Sequence, residues 1–378
     1  MRGNKGMRVL VVGGGIIGCA IARELSGSGC KVTVLEKGCV GGEASSAAAG
    51  VLCAQLDAEA PSPLVSLGLE SFRLFDGLVE SLRTETGIDP HLESAGALTL
   101  DLTREDEAAS LRLLRWQKES GFPVERLSSE AIARMEPGLS ESILGGALFP
   151  ESGRVEPAVL TRALEVSARA RGAQFREGCP VISLKSSGDR VTGVVLAGGE
   201  TLPADFVVLA AGAWSSPLVP EIRVEVIPVR GQILVFQAPR PRRRHVLVTP
   251  RVYLAFRRDG SVLVGSTTEK VGFKKAVTPA AMMKLIATAL TLDPTLQEAR
   301  FAGCWSGLRP GTSDSLPLLG PVRAGLILAT GHYRNGILLA PVTAAVVADW
   351  VLRGKTSRPL DPFDPLRARP VSLPEAAS

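Results

Sequence analysis

Hydrophobic positions recur along this chain with two spacings, and the switches between them lay out its elements. Residues 9–12 are continuously apolar, as in a strand buried on both faces. They run into Gly13-Gly14-Gly15-Ile16-Ile17-Gly18, and the spacing predicts a helix next and a second strand over 31–35. Residues 62–87 carry Leu64, Leu67, Phe72, Phe75, Leu78, Val79 and Leu82 at helical spacing. Thr103-x-x-Asp106 is a capping pattern that opens a helix to about Gln117, and a shorter helix covers 128–135. Strand-like segments at 96–102 and 145–150 flank these helices, so the region reads as mixed α and β. A helix starts at Pro157, a residue tolerated in a first turn, and reaches about residue 171. Strand segments follow at 174–184, 190–196 and 201–209, the last ending in Ala211-Gly212-Ala213. Between 217 and 311 strict alternation takes over in VEVIPVRGQILVFQ, HVLVTP, RVYLAFRR and SVLVGSTT, with Asp259-Gly260 as a turn, before a helix from Pro279 to about Leu292. GLILATGHYRNGILLAPVTAAVVADWVLRG is again strand, glycine turn and helix, opened by Gly331 and closed by Gly354.

The first of these units carries chemistry. Placed between a buried strand and a helix, G-x-G-x-x-G uses Gly13 for a tight turn, Gly15 for close backbone approach to a pyrophosphate and Gly18 for helix–strand packing. The first helical N–H groups are expected to be unpaired, at the positive end of the helix dipole, where a diphosphate settles. Glu36 closes the second strand where an acid accepts hydrogen bonds from a ribose. FAD and NAD both suit such an acid, and NADP does not; the bland alternative is a glycine-rich loop without a ligand. The small-residue run 38–50, which includes Ser45 and Ser46, then reads either as a path for the cofactor or as a flexible linker.

With 378 residues the chain suggests two domains. Its net charge of +5 is mild, and Arg242, Arg243 and Arg244 lack interleaved aromatics, which reads as a solvated loop and not as a nucleic-acid site. The six cysteines form no C-x-x-C pair and only three histidines accompany them, so no metal site is expected and buried reduced thiols in a cytoplasmic protein are. The basic start and the apolar run ending in Cys19 superficially resemble a lipoprotein signal, but the dinucleotide reading explains the same residues and Glu36 as well. No other apolar run looks long enough to span a membrane, and no stable membrane association is expected. Residues 1–6, ahead of Met7 and the first strand, read as a dispensable tail.

In order along nearly its whole length, GGGIIG, SSAAAG, AAGAW, WSGLRPGTSDSLPLLG and ATGHYRNGILLAP, the chain resembles the FAD-dependent D-amino acid oxidase family, most closely the glycine oxidases of thiamine biosynthesis. The fold expected is α/β plus α+β. A discontinuous Rossmann-type FAD-binding domain over 1–50, 155–216 and 312–378 would be interrupted by a largely antiparallel substrate domain over 51–154 and 217–311. The resemblance implies Ile16 and Ile17 at the diphosphate and Glu36 with Lys37 at the ribose. It implies Ala44, Ser45, Ala49, Gly50 and Val51 along the FAD path and Val181 at the adenine. The strand end at Gly212 returns the chain to the cofactor crevice. The turn His332, Tyr333, Arg334, Asn335, Gly336, Ile337 and Leu338 would bring helix N–H groups to the flavin pyrimidine edge, where negative charge develops on reduction.

The same resemblance implies Arg309 as the anchor of a substrate carboxylate, gripped by parallel charge-assisted hydrogen bonds, with Tyr253 beside it and Arg334 shaping the site. Each has a plainer reading: a structural ion pair for Arg309, a core aromatic for Tyr253, a surface helix-start cation for Arg334. Gly307 stands where some relatives tether flavin to cysteine, with Cys304 nearby, so FAD is expected to be non-covalent. Val51 stands where glycine oxidases commonly carry methionine, which leaves pocket size open. The expected reaction is oxidation of a small amino acid or amine (glycine, sarcosine, D-alanine or D-proline) with oxygen reduced to hydrogen peroxide. A dehydrogenase passing electrons to a quinone and a non-catalytic FAD-binding protein are the alternatives, and homo-oligomerisation is left open.

Overall fold

A computed structural model describes residues 6–58, 60–222, 224–238 and 243–367. Its frame is a six-stranded sheet in the order Leu318–Arg323, Leu326–Thr330, Phe206–Leu209, Arg8–Val12, Lys31–Leu35, Gln174–Arg176. All neighbours are parallel except the first pair. From Arg8–Val12 the chain builds outward on one side and then returns to the other at Phe206–Leu209, so a topological switch point lies between these strands. The helices Ile16–Gly27, Pro157–Ala170 and Gly336–Arg353 share one hydrophobic core with this sheet. The second large sheet has eight strands in the order Arg300–Gly311, Ile227–Gln237, Ser261–Gly265, Tyr253–Phe256, Val246–Val248, Ala97–Asp101, Gly145–Phe149, Glu125–Ser128. Every pair in it is antiparallel except Val246–Val248 with Ala97–Asp101.

Several sequence expectations are refined. The stretch 62–87 is two helices, Pro63–Arg73 and Phe75–Thr86, joined at Leu74. Although they lie between the strands of the two sheets in sequence, Leu64, Leu67, Phe75 and Leu82 belong to the core of the six-stranded sheet. Segment 174–184 divides between Gln174–Arg176 in the parallel sheet and Val181–Ser187 in a separate three-stranded sheet. Segment 201–209 divides in the same way. Arg300–Gly311, which no alternation announced, is a twelve-residue edge strand paired to Ile227–Gln237 along its length. By length and composition the helix Gly336–Arg353 could cross a membrane, contrary to expectation, yet its apolar residues fill the core. Pro341 interrupts its ladder, and Ser71 repairs the gap: its hydroxyl donates to Leu338 O at 2.6 Å and accepts from Val342 N at 3.3 Å.

Two further expectations are corrected. Arg243 is not solvated: it is buried, with Nε and Nη2 donating to Asp293 at 2.6 and 2.7 Å and Glu136 nearby; Arg242 lies outside the described residues. Cys19, Cys30 and Cys53 are buried as expected, but Cys39 and Cys304 are exposed.

Candidate active site

The carboxyl ends of the parallel strands open into a cavity of about 1050 Å³ that continues onto the face of the eight-stranded sheet. At its first end the glycines are dictated by approach distances. A Cβ on Gly13, whose φ is +110°, would lie 2.4 Å from Ala210 O, and one on Gly18 would lie 1.9 Å from Gly13 O. Gly18 therefore serves helix–strand packing and does not line the cavity. Glu36 is buried in the wall, with Oε2 accepting from Gly14 N at 2.7 Å and Oε1 from Gly38 N at 2.9 Å. The amides at the helix start are not all free: Ile16 N donates to Ser45 Oγ at 2.9 Å. Lys37 Nζ sits 3.1 Å above the ring of Trp214 and 3.5 Å from Glu43.

Gly13, Gly15, Ile16, Ile17, Glu36, Lys37, Ala44, Ser45, Ala49, Gly50, Val51, Val181 and Gly212 line this cavity. His332, Tyr333, Arg334, Asn335, Gly336 and Ile337 line it from the turn before the last helix, while Leu338 points into the core. His332 Nε2 lies 3.0 Å from Thr343 Oγ1, and burial lowers the imidazole pKa from 6.5 to about 3, so the ring is neutral.

The sheet register sets the other end. Tyr253 stands opposite Gly265 and Val248, Gly265 opposite Ile233, and Arg309 opposite Val229 one pleat repeat from the pair Gly231 and Gly307. Two glycines make room for the Arg309 and Tyr253 side chains. A Cβ on Gly231 would lie 2.3 Å from both Nη atoms of Arg309, and one on Gly265 would lie 2.3 Å from the Tyr253 hydroxyl. Arg309 Nη2 donates to Ser266 Oγ at 2.5 Å and Nη1 to Thr267 O at 3.1 Å. Among the described residues no carboxylate lies within ion-pair distance of it: Asp314, the nearest acid in sequence, is held by Arg367 at 2.8 Å. Burial lowers the Arg309 pKa and raises that of Tyr253, so the phenol keeps its proton and can donate. Arg334 is different: its Nε lies 3.3 Å from Asp57, which also accepts from Asn335 at 3.1 Å, and this carboxylate raises the Arg334 pKa.

The family marked as "FAD dependent oxidoreductase" matches residues 8–350. The chain belongs to this FAD-dependent oxidoreductase family. Glycine oxidase of Geobacillus kaustophilus is 38% identical over 361 residues, covering 94% of this chain and 95% of that protein. A crystal structure of glycine oxidase from that organism aligns with a TM-score of 0.92 at 37% identity, covering 96% of this chain and 100% of that one. A bifunctional ThiO/ThiG protein of Synechocystis is 37% identical over 98% of this chain, which spans 55% of that protein.

The cavity suits the cofactor of an FAD-dependent oxidoreductase: a glycine turn closed to any Cβ, a buried acid behind it, and a path of small residues leading to a neutral imidazole. At Gly307 a Cβ would lie 2.6 Å from Ala47 Cβ, and exposed Cys304 does not line the cavity, in keeping with non-covalent FAD. Residues that sequence reasoning missed are Gly231, Gly265, Ser266, Thr267 and Asp57. The two glycines were the available signal, Gly231 inside a strand segment and Gly265 at the end of one, because a strand glycine often marks a close approach.

Proposed function

We propose that this protein catalyses oxidative deamination of a small amino acid or amine, with oxygen as acceptor and hydrogen peroxide as a product. Glycine, sarcosine, D-alanine and D-proline are the candidate substrates. The observation that carries this reading is Arg309: a half-buried residue that lines the same cavity as the dinucleotide cradle, with a guanidinium that has no carboxylate partner among the described residues. An incoming carboxylate completes it through two charge-assisted hydrogen bonds, and the protonated Tyr253 hydroxyl adds a third donor. Holding the carboxylate in this way fixes the α-carbon and amine in one orientation, which converts binding into positioning. Bound FAD supplies the two-electron acceptor; Gly13, Gly15, Glu36, Ser45 and the turn before the last helix would hold it.

Among the described residues, neither the imidazole nor the carboxylate nearest the Arg309 end is free to take a proton from the amine. His332 is a neutral imidazole engaged with Thr343, and Asp57 is taken up by Arg334 and Asn335. The amine must therefore bind in its neutral form, with its lone pair driving loss of the α-hydrogen, and water completes hydrolysis of the imino product. Likeness to glycine oxidases and to a ThiO/ThiG protein supports a small amino acid substrate and a place in thiamine biosynthesis. Val51 lines the cavity and packs against the cluster that holds Ile233, so a longer side chain at this position would reduce the pocket.

The test is spectroscopic. Purified protein kept without oxygen is mixed with each of the four amines and then exposed to air while peroxide is measured. Bleaching of the flavin bands followed by recovery with peroxide supports an oxidase and names the substrate. Bleaching without prompt recovery points to another acceptor, and no bleaching by any of the four refutes the small-amine reading.

A further inference from the structure

One segment starts at the Arg309 end of the cavity and reaches the residues that line its other end. Residues 266–278 leave the strand Ser261–Gly265 and return to the helix Pro279–Leu292. Their root is where Ser266 and Thr267 accept from Arg309. Both legs of the segment are fastened to the strand Ile227–Gln237 by the residues flanking Gly231. Arg230 and Glu269 exchange backbone hydrogen bonds of 2.8 and 3.0 Å, and Arg230 Nη1 donates to Ala276 O at 2.8 Å. The buried Gln232 side chain donates to Glu269 Oε1 at 2.6 Å and accepts from Thr278 N at 2.8 Å. The tip reaches the opposite half of the molecule. There Phe273 stacks on Trp214 with ring centroids 5.2 Å apart, and Lys275 pairs with Glu43. Trp214, Glu43 and Lys37, which stands over the Trp214 ring, all line the dinucleotide end of the cavity.

We propose that residues 266–278 are a strap that couples the two ends of the site: Phe273 and Lys275 clasp the cofactor-binding half while Ser266 and Thr267 set the pose of Arg309. Phe273 and Lys275 are thus positioning residues, since neither lines the cavity. A cofactor that orders Lys37 and Trp214 steadies the tip, and through the fastened legs it steadies the acceptors of Arg309. By linkage, a carboxylate on Arg309 tightens FAD to the same extent as FAD tightens the carboxylate. This rests on the reading of Arg309 as the carboxylate anchor, but its first measurement does not.

The experiment uses full-length Phe273→Ala, Lys275→Ala, the double variant and Phe273→Tyr. FAD dissociation constants are measured by titrating apoprotein with FAD and following flavin fluorescence. Affinity for acetate, a carboxylate without an amine, is measured on the FAD-loaded proteins from the visible flavin spectrum. The aromatic stack predicts a rise of about two- to tenfold in the FAD dissociation constant of Phe273→Ala. The double variant is expected to bind acetate several-fold more weakly, with raised KM and little change in kcat, and Phe273→Tyr is expected to restore both affinities. Unchanged FAD affinity in the double variant overturns the strap, and weakened FAD affinity with unchanged acetate affinity overturns the coupling. Failure of the wild-type protein to bind acetate removes the anchor reading of Arg309, and the FAD titration alone then decides whether the tip clasps the cofactor half.

Discussion

Replacing Arg309 with methionine separates an anchor from a structural ion pair, because the two roles predict opposite effects on stability. An arginine paired with a buried carboxylate costs about 3–5 kcal/mol to remove, since the acid is left uncompensated. Arg309 has no such acid among the described residues; its protein partners are the Ser266 hydroxyl and the Thr267 carbonyl. Its removal forfeits those bonds but also lifts the cost of partly desolvating a cation, which offsets them. Methionine fills a similar length of apolar stem, so the apoprotein is expected to unfold in urea at the wild-type midpoint or above it. Catalysis should respond very differently. Two hydrogen bonds from an ionised donor to the substrate carboxylate, at about 1.5–3 kcal/mol each, amount to about 3–6 kcal/mol. At tenfold per 1.36 kcal/mol, kcat/KM is expected to fall on the order of 10²–10⁴-fold. Peroxide release under steady-state conditions gives kcat/KM, and the visible spectrum shows whether FAD is retained, as expected. Unchanged turnover would refute the anchor, and a destabilisation of several kcal/mol would return Arg309 to the structural reading.

Gly231→Ala places a methyl group 2.3 Å from the guanidinium nitrogens, so Arg309 must shift; KM is expected to rise by about tenfold or more while FAD binding is kept, measured by the same peroxide assay. The depressed pKa of His332 makes a stability prediction with a definite sign. Because the folded value of about 3 lies below the unfolded 6.5, the unfolded chain binds the proton first; the contribution is complete above pH 6.5 and is lost as pH falls toward 3. The slope approaches about 1.4 kcal/mol per pH unit, and urea midpoints at pH 7 and pH 5 should differ less in His332→Gln than in wild type. Arg243→Met leaves Asp293 buried without its cation, while Glu136 keeps His245, and is expected to cost about 3–5 kcal/mol by urea unfolding, with kcat/KM of the folded protein unchanged.

Those features that the sequence announced are the ones whose physics is local. Thr103 and Asp106 form the reciprocal cap their spacing implied, each backbone N–H lying 3.1 Å from the other's side-chain oxygen. The helix Pro279–Leu292 begins and ends where expected, and Gly354 closes the last helix in the left-handed region at φ +71°. Features that escaped depend on partners distant in the chain. The break at Leu74 is hidden because apolar residues keep helical spacing across it. The edge strand Arg300–Gly311 is unpaired on one side and exposed over its first residues, so it shows no alternation. Arg243 reads as a surface charge until Asp293 and Glu136, 50 and 107 positions away, are brought to it.

The same distinction separates the two arginines proposed for the site, Arg309 as anchor and Arg334 as a residue that shapes the pocket. Arg334 follows a glycine turn and Arg309 precedes one, and neither has an acid as an immediate neighbour. Folding gives Asp57 to Arg334, which raises its pKa and leaves its side chain partly in solvent. It gives Arg309 only a hydroxyl and a carbonyl, in a place where burial lowers its pKa. A cation whose charge is already answered gains little from a substrate carboxylate, because the new bonds must compete with the old one. A partly desolvated cation answered only by neutral acceptors gains from the incoming charge the Coulomb energy that its surroundings withhold. That imbalance comes from strand register, which seats Arg309 over Gly231 and beside the root of the 266–278 segment, and it is why the carboxylate is assigned to Arg309 and the shaping of the pocket to Arg334.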